Sequence, residues 1–185
     1  MPPYLPALQG PKTCGAPQVL PPLLDSLGSV TTWGSIEEAE PAFAARVRAM
    51  FEAGRHKTIA TVRADGSPRI SGIECEFVDG ELRFGSMPGA RKGHDLHRDP
   101  RFALHGPTVH PEEGKEADWP GEAKIAGRAV PAGSGATEGD GESPDGEMFV
   151  ADIGEVAITG LNAEATKLVV EWWTPAGGLR RVERD

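Results

Sequence analysis

The chain is 185 residues long, 38% hydrophobic and 25% charged, enough for one domain with a sizeable core. Its formal net charge of −9 excludes general binding to nucleic acid or to an anionic membrane, which needs a basic surface. No run approaches the ~18 apolar residues of a membrane span, and the 24 glycines and 17 prolines point to a turn-rich β protein rather than a helical bundle.

Residues 1–34 form a Pro/Gly-rich leader with no basic n-region and with apolar stretches broken by proline. They read as neither signal nor transit peptide but as a disordered tail, which leaves 35–185 as the domain. Cys14 in this leader and Cys75 in an expected strand are far apart, the pattern of reduced thiols in a cytoplasmic setting. Ser35 and Glu38 fit a capping box, Pro41 suits the first position of a main helix, and Gly54 suits its end. Between them Phe43, Val47, Met50 and Phe51 recur at helical spacing, a face for packing on a sheet.

The period then changes. "HKTIATVR" reads as a strand, 64–67 as a turn, and "PRISGIECEFV" as a second strand with Gly72 at a bend. Asp79-Gly80 is a two-residue hairpin signal leading into "ELRFGS", so these strands are antiparallel. A short helix over 90–98 is broken at Asp99-Pro100 before the strand "RFALHG". A Pro-rich acidic loop (107–121) precedes the strand "EAKIAGRAVPA", and a low-complexity stretch follows it, with no aromatic or large aliphatic residue up to Glu147. "GEVAITGL", "KLVVEWWTP" and "GLRRVER" complete seven or eight strands, with Asn162 capping a turn and Trp172 and Trp173 on opposite strand faces. The expected fold is mainly β, an antiparallel barrel with a few flanking helices, since closure removes exposed edges.

One stretch carries the chemistry. "GARKGHDLHRDPRFALHG" sets Arg91, Lys92, Arg98 and Arg101 against only Asp95 and Asp99, in a chain that is otherwise acidic. A helix start directs unpaired N–H groups and the positive end of its dipole outward, so a basic pair there suits a small anion. Arg91 offers a bidentate fork and Lys92 a point charge, while Gly85 and Gly89 let a ligand approach the backbone. His94 and His97 share a helix face, but no third ligand of suitable spacing follows, so no metal site is expected. No Ser-His-Asp order, P-loop or GxGxxG supports hydrolytic or nucleotide-triphosphate chemistry.

The order "ATVRADGSPR", "ELRFGS", "ARKGHDLHRDPRFAL" resembles the pyridoxamine-phosphate-oxidase-like, FMN-binding split-barrel family over 35–185. The resemblance implies an antiparallel split β-barrel, a homodimer, and FMN or, in one branch, a deazaflavin coenzyme at the subunit interface. It implies that Arg69, Ile70 and Ser71 run along the ring and ribityl chain. Gly85 and Ser86 would contact the ribityl or phosphate part, and Arg91 and Lys92 the phosphate. The implied function is a flavin- or deazaflavin-dependent oxidoreductase acting on a small molecule, with no catalytic residue identified. The alternatives are a non-catalytic flavin- or haem-binding protein and a structural dimer that has lost the cofactor. Two departures argue against a vitamin B6 oxidase: Ile73-Glu74-Cys75-Glu76 stands where the oxidase has a lysine, and the C-terminal "GLRRVERD" lacks its Arg-x-His.

Overall fold

The computed structural model describes residues 30–134 and 146–184. The leader up to residue 29, with Cys14, and most of the low-complexity stretch lie outside the described residues. The fold begins before the expected boundary at 35. Thr31 exchanges hydrogen bonds with Asp152 and Ile153, and Trp33 is fully buried. Helix α1 spans Trp33–Ala39, and its N-cap is Thr32, whose hydroxyl accepts from the Ser35 N–H. Ser35 is therefore inside the helix, and its hydroxyl donates to the Thr32 carbonyl rather than forming the expected capping box. Helix α2 spans Pro41–Glu52 with proline in its first turn, as expected, and buries Phe43, Ala44, Val47 and Phe51. Ala53 is its C-cap; Gly54 follows, close to Pro107, and does not take up the left-handed conformation.

Nine antiparallel strands follow. β1 (Lys57–Val62) and β2 (Pro68–Ile73) form a hairpin, and β3 (Cys75–Val78) and β4 (Glu81–Ser86) form a second. The second turn is set by Asp79 and Gly80, both at positive φ (51° and 73°), the geometry of a type I′ turn. After α3 (Arg91–Arg98) come β5 (Arg101–His105), β6 (Glu122–Ser134), β7 (Glu147–Leu161), β8 (Leu168–Thr174) and β9 (Gly178–Arg184). The strand order is β2-β1-β5-β6-β7-β4-β3, with β8 on the other half of β7 and β9 outside it.

Two differences from the expected meander define the architecture. "PRISGIECEFV" is two strands, because the chain breaks at Glu74 rather than bending at Gly72: β2 pairs with β1, and β3 with β4. The sheet is thus left open between β2 and β3, which makes it a split barrel. The other difference is β7, which starts at Glu147, well before the expected "GEVAITGL". Its first residues pair with β4 and its last with β8. The interior is aromatic: Phe84 packs on Phe102 and Phe149 with ring centroids 5.1 and 5.9 Å apart, and Trp33 lies 4.5 Å from Phe77. Trp173 faces this core and Trp172 does not, as alternation requires.

The long β6–β7 pair shifts register between Ala126 and Gly127, where a Cβ on Gly127 would run into the Asp152 carbonyl. Gly127→Ala is therefore expected to cost about 1–3 kcal/mol in urea unfolding. Gly154→Ala, whose Cβ would meet nothing closer than 3.7 Å, is expected to cost less than about 0.5 kcal/mol. Equal losses at the two positions would remove this account of the bulge.

Candidate functional site

Helix α3 fills the gap that the split leaves. Asp95, only 3% exposed, lies on its inner side. The carboxylate accepts from the Thr61 hydroxyl of β1 at 3.0 Å and from Arg69 Nε of β2 at 2.6 Å. Arg98 adds two contacts at 3.3 Å and also donates to the Val62 carbonyl. The Arg69 guanidinium, with the Thr61 and Arg98 donors, holds the Asp95 carboxyl below the usual carboxylate range despite burial. On the other flank Gly93 faces the Ser86 hydroxyl of β4 and the Glu147 carboxylate of β7, and a Cβ there would require the Glu147 side chain to move. Lys92 completes the clamp by donating from Nζ to the Gly72 carbonyl of β2 at 3.1 Å.

A cleft of about 260 Å³ opens beside this clamp, lined by His56, Gly72, Ile73, Glu74, Gly85, Met87 and Lys92. A Cβ built on Gly72 meets nothing within 4 Å, so the absent side chain leaves room in the cleft. Arg91, the first residue of α3, is exposed and makes no hydrogen bond or ion pair among the described residues. Ala90 supplies no side-chain cap, so the first N–H groups of α3 are left for a ligand or water. An open cradle beside two cations and an uncapped helix start fits a ligand with a phosphate at one end.

The structure divides the expected site residues into two sets. Gly85 and Lys92 line the cleft, Arg91 stands at the neighbouring helix start, and Ile70 projects from β2 with 75% of its surface exposed. Arg69 and Ser86 do not line it. The Arg69 guanidinium is committed to Asp95, and the Ser86 hydroxyl is buried against Gly93. Ser71 is half-buried in β2 opposite Ile59. Five lining residues, His56, Gly72, Ile73, Glu74 and Met87, were not among the expected ones. The buried carboxylate of Asp95 was missed as well: on paper it is one acid among helix cations, and its partners Thr61 and Arg69 are 34 and 26 residues away. Cys75 is half-buried in β3, and burial pushes its thiol up to about 11, so it is inert at neutral pH. Among the described residues no group of three or more His, Cys, Asp or Glu is arranged to hold a metal ion, and no helix is long and apolar enough to cross a membrane.

An open antiparallel barrel with an inserted helix at its split is the split-barrel class of fold. The sequence profile described as pyridoxamine 5'-phosphate oxidase matches residues 43–175, and the chain belongs to that family. Among solved structures, a pyridoxamine 5'-phosphate oxidase-related, FMN binding protein from Nostoc punctiforme superposes with a TM-score of 0.56 at 12% identity, over 82% of this chain and 99% of that one. PhzG from Burkholderia lata, solved with tetrahydrophenazine-1-carboxylic acid, gives 0.51 at 12% identity, over 78% and 87%. At this identity the likenesses are of fold. No curated protein matches the sequence.

The Asp95 ion pair generates a pH prediction. A carboxyl depressed in the folded state stabilises it fully above its unfolded value of about 3.9, and this contribution is lost as pH falls through the folded value. Asp95→Asn should therefore flatten the loss of stability that the parent protein shows below about pH 4. Asp95→Ala should cost about 3 kcal/mol at neutral pH, because Arg69 is left without its partner. Chemical unfolding at several pH values measures both, and an unchanged acid limb in Asp95→Asn would contradict the assignment.

Proposed function

We propose that the protein is an FMN-dependent oxidoreductase acting on a small molecule, with the cofactor phosphate at the start of α3. The observation that carries this reading is the open cleft beside Gly72, bounded by Lys92 and adjoining Arg91 and the uncapped α3 N-terminus. Lys92 has three N–H donors, so it can keep the Gly72 carbonyl and still meet a phosphate oxygen. Gly72 and Gly85 offer backbone without bulk, and Ile70 and Met87 offer apolar surface for a planar ring. The flavin, when bound, supplies the two-electron chemistry, and the chain supplies binding and orientation. Family membership supports a flavin-type cofactor.

FMN titration followed by flavin fluorescence tests this reading, with a deazaflavin coenzyme titrated in parallel. The parent protein is expected to bind FMN. Arg91→Ala with Lys92→Ala should weaken it about a hundredfold or more, since charge-assisted bonds contribute about 1.5–3 kcal/mol each. Gly72→Val should block binding with little change in stability, because the added side chain enters open space on an exposed strand position. A parent protein that takes up neither cofactor overturns the proposal, and tight binding of the deazaflavin alone replaces FMN with it.

The same reading includes a homodimer. Its support is two exposed apolar side chains, Met87 lining the cleft and Ile70 on β2 two residues from Gly72, 67% and 75% exposed, together with β2 at an open sheet edge. Light scattering should give twice the chain mass, and Ile70→Lys should shift the mass toward one chain. A parent protein of single-chain mass at micromolar concentration would refute the dimer.

A further inference from the structure

We propose that His56 is a catalytic acid–base residue of the cleft and that Glu74 positions it. The inference rests on the flavin reading above and extends it to a substrate class: molecules with an O–H or N–H on the carbon that exchanges hydride.

His56 stands just before β1, and its side chain is 83% exposed at the cleft. Its Nδ1 faces Oε1 of Glu74 at 3.6 Å. Glu74 is the single residue between β2 and β3, so the break in the sheet fixes where its carboxylate stands. Arg55 Nε donates to the same Oε1 at 2.8 Å and so helps to hold the carboxylate. The Glu74 side chain is 16% exposed, so the anchor is more sheltered than the ring that it holds.

The Glu74 carboxylate beside Nδ1 favours one tautomer. An ionised carboxylate only accepts, so the ring nitrogen that faces it carries the proton. In the neutral ring Nε2 then keeps its lone pair, and it has no hydrogen-bond partner among the described residues. The 3.6 Å gap is longer than a hydrogen bond, which is common in acid–base pairs before a ligand covers them. The other charged groups around the ring are Arg55, Glu74 and, lining the same cleft, Lys92. Glu74 is engaged by Arg55 and Lys92 by Gly72, and the neighbouring Cys75 thiol stays protonated at about 11. His56 is the imidazole of this set, with one ring nitrogen toward Glu74 and the other without a hydrogen-bond partner among the described residues.

In the step assigned, the substrate O–H or N–H bond breaks and its proton goes to Nε2. With an oxidised flavin bound, the adjacent C–H bond would break with its electron pair, the flavin supplying the hydride acceptor. The substrate loses two electrons and gains a C=O or C=N bond. The exposed imidazole then returns its proton to water.

Two measurements test the pair. Nitrogen-15 spectra of histidine-labelled protein, with His56 assigned by its loss in His56→Gln, read the tautomer without any ligand. The expected neutral ring carries its proton on Nδ1, and Glu74→Gln moves the population toward Nε2–H. A parent ring protonated on Nε2, or a ratio unmoved by Glu74→Gln, overturns the proposal. The second measurement adds 4-chlorophenol to the FMN-loaded protein at about pH 7, where a free phenol is neutral. Proton transfer to His56 should give a phenolate, seen as long-wavelength absorbance over the flavin. His56→Gln should weaken this binding by about tenfold, and Glu74→Gln by about threefold, each compared at FMN concentrations that saturate the variant. An unchanged band in His56→Gln, or none in the parent protein holding FMN, overturns the assignment. Failure of the parent protein to bind FMN at all sinks the flavin reading instead, and the tautomer measurement still decides the pairing.

Discussion

The buried carboxylate of Asp95 is the interaction on which the rest of this site depends. A barrel split between β2 and β3 has a gap to fill, and α3 fills it because Asp95 takes donors from β1, from β2 and from its own helix. A carboxylate this deep is tolerated only when its lone pairs are met, and Thr61, Arg69 and Arg98 meet them. The helix cannot slide or rotate without breaking that set. Gly93 adds a steric condition on the opposite flank, since its missing side chain lets α3 sit directly on Ser86 and Glu147. With the helix pinned on both sides, its first turn stands over the cleft at a fixed height.

The same ion pair explains how a chain of net charge −9 presents a positive site. Most of the cations gathered around α3 are neutralised locally. Arg69 and Arg98 are held by Asp95, and Arg101 by Asp99. Arg91 stands at the helix start without an ion pair among the described residues, and Lys92 donates to the Gly72 carbonyl.

Much of this architecture was legible in the sequence because it rests on local rules. The spacing of Phe43, Val47 and Phe51 gave the buried face of α2, Pro41 its start, and Asp79-Gly80 the hairpin between β3 and β4. Arg91 and Lys92 were legible for the same reason: a basic pair at a helix start needs no distant partner to be recognised. The break at Glu74 was not legible. "PRISGIECEFV" has no proline or turn pair inside it, and what separates β2 from β3 is that each finds a different neighbour, β1 or β4. The long β7 was hidden likewise, since its first residues become a strand by pairing with β4 and β6. The family resemblance placed Arg69 along a cofactor; in the structure its guanidinium pairs with Asp95, 26 residues on, a partner that local sequence does not reveal.

By itself, then, the sequence determined a β-rich chain with an amphipathic helix, the principal hairpin turns and a cationic helix start, all features that follow from neighbours in the chain. Tertiary structure alone decided where the barrel splits, which cations are used up in ion pairs, and that His56 and Glu74 meet at the cleft. The physical reason is that a charge is spent or left available according to what packs against it. Residues distant in the chain become neighbours only when the sheet has chosen its pairs.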